Sequence, residues 1–222
     1  DDIGYGDLSC NGSKTIIRRM WKTGSTGCSF YGCTCGSCDQ YAFALFAVYG
    51  ALCWRRNDTG IAAGNAGMVI RPEQPTVADM FRECGYTTGA IGKWHLGLSD
   101  RTGGQDWNGF ITPGPSDIGF DYSYIMAATG DRVPCVWVEN QRIVNLDPND
   151  PIEVSYEKPF PGEPLGKDHP ELLTKLKPSP NHGHDMAIVN GISRIGYMKG
   201  ASRPCGKMKH CRQHHLQSCP IY

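Results

Sequence analysis

The sequence predicts an α/β fold, either one domain or part of one. Its 222 residues are 40% hydrophobic, enough to bury one sizeable core, and its 28 glycines and 15 prolines indicate many turns and loops. The clearest segment, residues 75–97, has the pattern of a helix followed by a strand with polar residues at its tip. Polar residues at the carboxyl end of a strand are typical of an α/β active site.

The helix is predicted to run from Val77 to Cys84. Thr76 and Asp79 have the spacing of a capping box, and apolar residues recur inside the segment at helical intervals. Gly85 stands where a glycine ends many helices. The next segment, YTTGAIGKWHLG at residues 86–97, begins as a short β-branched run, so we expect a buried strand that ends at its Lys-Trp-His residues.

The second half of the chain has weaker patterns. The segment CVWVENQRIV at residues 135–144 predicts a hairpin that turns at Glu139 and Asn140. Residues 147–180 are rich in proline and carry scattered charges, so we expect an irregular surface insertion or loop there.

Charge and hydropathy argue against two classes of partner. The 22 basic and 22 acidic residues cancel, so the sequence lacks the positive surface of a nucleic-acid binder. The longest apolar run, Ala42–Leu52, is far shorter than the roughly 20 residues that cross a bilayer, so we expect no membrane span. The chain starts without Met or a leader, and we expect the true start to lie upstream.

The 11 cysteines are distributed unevenly along the chain. Five lie within residues 28–53 and three within the last 18 residues, so these two regions are much richer in cysteine than the rest of the chain. Cys35 and Cys38 have zinc-ligand spacing, which keeps open a Cys/His-rich zinc-binding interaction module. The tail does not repeat that spacing, so this alternative is the weaker one.

Three segments, taken in order, resemble the sulfatase family of the alkaline-phosphatase superfamily. They are DDIGYGDLSCNG at 1–12, PTVADMFRECGYTTGAIGKWHLG at 75–97 and GFDYSY at 119–124. The resemblance, to arylsulfatase-like enzymes that use formylglycine, covers residues 1–16 and about 54–200. It implies an alkaline-phosphatase-like sandwich with a mixed central sheet, of which the chain is an incomplete N-terminal portion. It also implies hydrolysis of sulfate monoesters of a carbohydrate or aryl alcohol; phosphate or phosphonate monoesters are the alternative within the superfamily.

The resemblance assigns four residues to the site. Asp1 and Asp2 match the paired aspartates that bind a divalent cation, and their carboxylate oxygens suit Ca²⁺. Lys93 matches the residue that neutralises a sulfate oxygen, and His95 the residue that hydrogen-bonds the nucleophile. On an extended backbone, residues two positions apart project the same way, so we expect Lys93 and His95 to converge on one anion.

The nucleophile signature of the family, Cys or Ser followed by x-P-S-R, is absent from its expected place. Reading one base later from Gln40 and Tyr41 permits S-T-P-S-R-Y-S-L-F-T-G-R-Y, which contains that signature. We therefore expect about 17–53 to be translated out of frame, and 201–222 to be an out-of-frame tail after a catalytic portion spanning 1–200. The intact gene would then encode a serine-type formylglycine precursor that needs a formylglycine-generating maturase, and the chain as translated would be inactive.

Other polar residues are interpreted without a site role. His182 and His184 could be ligands or a general acid by residue type, but we expect them to lie solvated in a polar loop. Asp131 and Arg132 either line a substrate pocket or form a solvated turn before a strand. The general acid and the remaining metal ligands of the family match no segment here. Sulfatases of this type are commonly exported, so the resemblance implies a periplasmic or extracellular location.

Overall fold

The computed structural model describes Val48, Gly50, residues 61–175 and residues 180–200. Besides three short 3-10 helices (Pro115–Ile118, Pro170–Leu172 and Pro180–His182), the elements with described bounds are one α-helix and eight short strands. They are α1 (Val77–Glu83), β1 (Gly89–Lys93), β2 (Tyr122–Met126), β3 (Trp137–Glu139), β4 (Arg142–Ile143), β5 (Glu153–Ser155), β6 (Ile188–Val189), β7 (Ile192–Ser193) and β8 (Tyr197–Lys199). None of the helices in these residues has the length and apolar character needed to cross a membrane.

The main sheet has the order β1-β2-β3-β4 and is mixed, as expected. β1 runs parallel to β2, with Gly89 opposite Tyr122 and Lys93 opposite Met126, whereas the other pairs are antiparallel. Two smaller antiparallel pairs, β5-β8 and β6-β7, are formed by the later part of the chain. The only parallel pair in the described sheets is therefore the one that carries the predicted site.

The predicted helix and its cap are confirmed. The Thr76 hydroxyl accepts hydrogen bonds from the amides of Ala78 and Asp79, and the Asp79 carboxylate accepts one from Thr76 N at 2.9 Å. The Thr76 hydroxyl also donates to the carbonyl oxygen of Ile118 at 2.8 Å, which ties the start of α1 to the loop before β2. Cys84, predicted as the last helical residue, is the C-cap instead.

The prediction of a buried strand is wrong for β1, because only one of its faces is buried. Successive side chains alternate between faces, so Ala90 points into the core together with Ile125 and Val138 of the neighbouring strands. Ile91 points to the other face and is 65% exposed. The sheet therefore buries one face, and β1 contributes little to it because its two residues on that face are Ala90 and Gly92.

The predicted hairpin forms, but its turn is displaced by one residue. Glu139 still pairs with Arg142, so the two turn residues are Asn140 and Gln141, not Glu139 and Asn140. Both have positive φ, 44° and 65°, as a tight two-residue hairpin turn requires. Gln141 is buried and donates through its Nε2 to the carbonyl oxygen of Ile111 at 2.8 Å, so a tertiary contact selects its position in the turn.

The expectation of a surface loop at 147–180 holds only in part. Most of its described residues are irregular, but β5 pairs with β8, and Ile152 just before β5 is buried. The Asn108 side chain accepts from Ile152 N at 2.8 Å and donates to Ile152 O at 2.9 Å. This segment is thus bound into the core rather than laid over it. Residues 201–222, and 17–53 apart from Val48 and Gly50, lie outside the described residues, so their reading frame stays a prediction.

The cap of α1 can be tested by Thr76→Ala. The substitution removes one capping acceptor and the hydrogen bond to Ile118 O, so we expect the free energy of unfolding to fall by about 1–3 kcal/mol in denaturant titrations. Thr76→Ser keeps the hydroxyl and should retain most of that stability. An alanine variant as stable as the serine variant would contradict this account.

Candidate active site

The site lies at the carboxyl ends of the two parallel strands. Beyond β1, the pairing with the neighbouring chain continues through Trp94 N to Met126 O at 3.0 Å and His95 N to Ala127 O at 3.3 Å. Functional groups of α/β proteins collect at this edge of a parallel pair, because the loops that leave the strands meet there. His95 is therefore held against the start of the loop that follows β2.

His95 is fixed by a long-range hydrogen bond from its ring. The ring Nε2 lies 2.8 Å from the carbonyl oxygen of Ala62, and the residue is only 8% exposed. Because a carbonyl oxygen can only accept, Nε2 carries a proton, and in the neutral ring Nδ1 is the basic nitrogen. The tautomer of His95 is thus set by main chain 33 residues away in sequence.

The expectation of an extended backbone at His95 is wrong. Its φ is 55°, in the left-handed region, so the chain turns away from the strand direction at this residue. The turn is compatible with both the amide bond to Ala127 and the ring bond to Ala62. Lys93, the exposed last residue of β1, still lies close enough to act on the His95 charge, so the predicted proximity of this pair is retained.

The surroundings of His95 favour its neutral form. Burial, the largest cause, lowers the pKa of His95 below 6.5, and the cations Lys93 and Arg132 lower it further. The hydrogen bond to Ala62 and the nearby Asp131 carboxylate raise this pKa, but not enough to reverse the shift. At neutral pH the ring is therefore an uncharged hydrogen-bonding group beside two positive charges.

The residues around His95 in the GKWHLG motif form its support. Trp94 is buried, donates from its indole Nε1 to Gly97 O at 2.8 Å and packs edge-to-face on Phe120. Gly97 has a φ of 74°, and a Cβ there would lie 2.0 Å from the carbonyl oxygen of Gly67. Only glycine allows this close approach of two chains, so the motif's final glycine has a packing role.

Three polar residues near the site were not assigned to it from the sequence. His184 Nε2 lies 3.1 Å from the Asp131 carboxylate, and Arg132 NH1 lies 3.8 Å from the same carboxylate. The expectation of solvation holds for Asp131, whose side chain is 40% exposed, but not for Arg132 and His184, whose side chains are only 18% and 28% exposed. One signal could have found Asp131 and Arg132: they follow β2, the strand parallel to β1, at its carboxyl end.

Several predicted site residues lie outside the described residues. These are Asp1, Asp2 and the Gln40 and Tyr41 positions; the side chain of His182, which was not assigned to the site, is outside as well. The cysteines with zinc-ligand spacing, Cys35 and Cys38, are also outside. Among the residues that the structure does describe, no group of three or more His, Cys, Asp or Glu residues could hold a metal ion.

Comparison with known proteins gives a consistent similarity. The family model described as Sulfatase matches residues 1–133. An N-acetylgalactosamine-6-O-sulfatase of Bacteroides thetaiotaomicron is 47% identical over 201 residues, which cover 90% of this chain and 39% of that protein. Human arylsulfatase G is 32% identical over 100 residues, 44% of this chain and 19% of that protein.

A solved structure also matches the chain. It is a sulfatase structure described with the metabolism of multiple glycosaminoglycans by Bacteroides thetaiotaomicron, and it matches with a TM-score of 0.80 at 45% identity. The match covers 92% of this chain and 42% of the solved one. The chain therefore spans about two fifths of the length of these relatives.

The neutral state of His95 can be tested by NMR titration of its ring protons. We expect a midpoint below 6.5, and we expect Lys93→Gln to raise it because that variant removes a neighbouring cation. Lys199→Gln, which removes an exposed lysine paired with Glu153, should leave it unchanged. A pKa lowered by folding gives stability that is complete above 6.5 and is lost as pH falls from 6.5 through the folded-state pKa. A midpoint at or above 6.5 would contradict this description.

Proposed function

Because the chain belongs to the sulfatase family and has its α/β fold, we propose that it carries part of a site for hydrolysing sulfate monoesters. The observation that supports this most directly is the neutral His95 ring, with its proton held on Nε2, beside the Lys93 and Arg132 cations. A sulfate ester is an anion with tetrahedral oxygens, and cations placed beside it stabilise the charge that develops during transfer of the sulfuryl group.

Each described residue has a distinct role in this proposal. The Lys93 ammonium neutralises a sulfate oxygen, and the Arg132 guanidinium adds positive potential at the same edge of the sheet. His95 hydrogen-bonds the nucleophile through Nδ1, because Nε2 already donates to Ala62. A ring with a lowered pKa keeps this acceptor available at neutral pH, so it can hold the nucleophile's proton.

The proposed metal is Ca²⁺ or another divalent cation, held by Asp1 and Asp2. Their carboxylates are the oxygen donors that a hard cation prefers, so the donor chemistry fits. When bound, such a cation neutralises charge on the sulfate group. The described residues would contribute the cations of the site, Lys93 and Arg132.

The proposed nucleophile is the hydrate of a formylglycine, produced in the parent protein by a formylglycine-generating maturase. This hydrate would supply a hydroxyl that attacks sulfur as the alcohol of the ester leaves. As translated, Gln40 and Tyr41 occupy its place, and neither side chain supplies this chemistry. We therefore propose that the chain as written is inactive and that a serine-type precursor stands in the restored frame. A DNA sequence that encodes 17–53 in one continuous frame with the flanking segments, without an insertion or deletion, would overturn this step.

Between a carbohydrate and an aryl alcohol as the esterified group, we propose the carbohydrate. The relative that matches 90% of this chain is an N-acetylgalactosamine-6-O-sulfatase, whereas arylsulfatase G matches 44% of it at lower identity. For the parent enzyme we also propose an exported location, either periplasmic or extracellular.

The activity can be tested with a gene restored to frame over 17–53 and 201–222 and co-expressed with the maturase. We expect hydrolysis of carbohydrate sulfate monoesters in preference to phosphate monoesters. Lys93→Ala should lower kcat/KM by about 100-fold or more, because it removes charge stabilisation in the transition state. Lys199→Ala, a surface lysine of β8, is the matched control and should keep full activity. Preference for phosphate esters, or equal effects of the two lysine variants, would refute the proposal.

A further inference from the structure

The hydroxyl group of Tyr156 joins two main-chain segments beside the site. Tyr156 directly follows β5, and its hydroxyl accepts a hydrogen bond from Gly64 N at 2.9 Å. The same hydroxyl donates to the carbonyl oxygen of Val133 at 2.7 Å. Since burial raises the pKa of Tyr156, the hydroxyl stays protonated at neutral pH and remains able to donate. One side chain thus completes the hydrogen bonding of both segments.

Each of these segments also reaches His95. Gly64 lies two residues after Ala62, whose carbonyl oxygen accepts from the His95 ring. Val133 directly follows Asp131 and Arg132, whose charges act on the same ring from the loop after β2. The Tyr156 hydroxyl thus links the two segments by hydrogen bonds. Both segments also act on the His95 ring, one through the Ala62 carbonyl oxygen and the other through the charges of Asp131 and Arg132.

We propose that Tyr156 is a positioning residue, which holds Ala62 in place and thereby keeps the His95 proton on Nε2. This inference rests on the proposed function, in which Nδ1 of His95 must be the acceptor for the nucleophile. Tyr156 itself touches neither the reacting group nor the His95 ring in this account. It acts through the main chain of residues 62–64.

The packing around Tyr156 allows little freedom. A Cβ on Gly64 would lie 1.8 Å from Val133 O and 2.4 Å from the Tyr156 hydroxyl, so the two segments are already in contact. On the other side, a Cβ on Gly196 would lie 2.9 Å from the Tyr156 ring carbon Cζ. The tyrosine is enclosed between two glycines, which fixes where its hydroxyl can be.

Main-chain hydrogen bonds keep the second segment rigid. Val133 N donates to Ile195 O at 3.0 Å, and Ile195 N donates to Asp131 O at 2.8 Å. The small β5-β8 sheet places Ser155 opposite Tyr197, immediately beside Tyr156. Because Val133 is anchored in this way, the Tyr156 hydroxyl bonded to its carbonyl oxygen holds the Gly64 amide in place and does not move with it.

The experiment is Tyr156→Phe, read by long-range ¹H–¹⁵N spectra of the His95 ring above pH 6.5. These spectra distinguish the two neutral tautomers. We expect the parent chain to show only the Nε2–H form and the variant to show a mixture that includes Nδ1–H. Loss of one buried hydrogen bond should also accelerate solvent exchange of the Gly64 amide, by about tenfold or more.

Tyr197→Phe is the matched control. It removes the same group from the neighbouring strand of the same small sheet, and no hydrogen bond of its hydroxyl is found among the described residues. It should leave the His95 tautomer and the Gly64 exchange rate unchanged. A single Nε2–H form in Tyr156→Phe, or the same mixture in both variants, would overturn the positioning role.

A measurement on the unsubstituted chain covers the case in which Tyr156→Phe does not fold. If Tyr156 joins these groups, the Gly64 amide and the His95 Nε2 proton exchange with solvent through one shared opening, with equal protection factors. Unequal protection, by tenfold or more, would refute the proposal. The sulfate ester assay remains independent: a restored protein without sulfatase activity would refute the proposed function, while the tautomer change would still report the role of Tyr156.

Discussion

The parallel pairing of β1 with β2 is the constraint on which the candidate site depends. It extends beyond the strands themselves, since the amides of Trp94 and His95 bond to the carbonyl oxygens of Met126 and Ala127. This extension carries His95 past the end of β1 and holds it against the loop that contains Asp131. Without a parallel pair, the two chain exits would lie at opposite edges of the sheet, and their side chains could not act on one ligand.

The irregular parts of the fold are held by side chains that bond to main chain. Asn108 satisfies both polar groups of Ile152, and the Thr88 hydroxyl donates to Gly119 O at 2.6 Å. Such bonds replace the strand ladder where the chain has no regular structure, because a buried main-chain amide or carbonyl without a partner is costly. Tyr156 belongs to this group, and it differs from the others in that its two partners, Gly64 and Val133, adjoin in sequence the residues that act on His95.

The electrostatic character of the site follows from this arrangement. His95 is buried and its lowered pKa keeps it neutral at pH 7, and the cationic side chains of Lys93 and Arg132 act on it. A neutral imidazole costs less to bury than an imidazolium, and the two cations increase that preference. This edge of the sheet therefore suits an anion. Nδ1 of the neutral His95 ring carries no proton at neutral pH and can accept a hydrogen bond.

The sequence by itself determined the features that short-range patterns encode. The capped helix, the strand after it and the Lys93–His95 pair were predictable, because capping spacing and the GKWHLG motif lie within a few consecutive residues. The hairpin was also predictable, but its turn moved by one residue because the buried contact of Gln141 with Ile111 is invisible locally.

Tertiary structure alone decided which distant groups surround His95. The bond to Ala62 spans 33 residues, the His184–Asp131 pair 53, and the Gly64–Tyr156 bond 92. Contacts at such separations depend on how loops close over a folded core, and no local spacing of residue types records that closure.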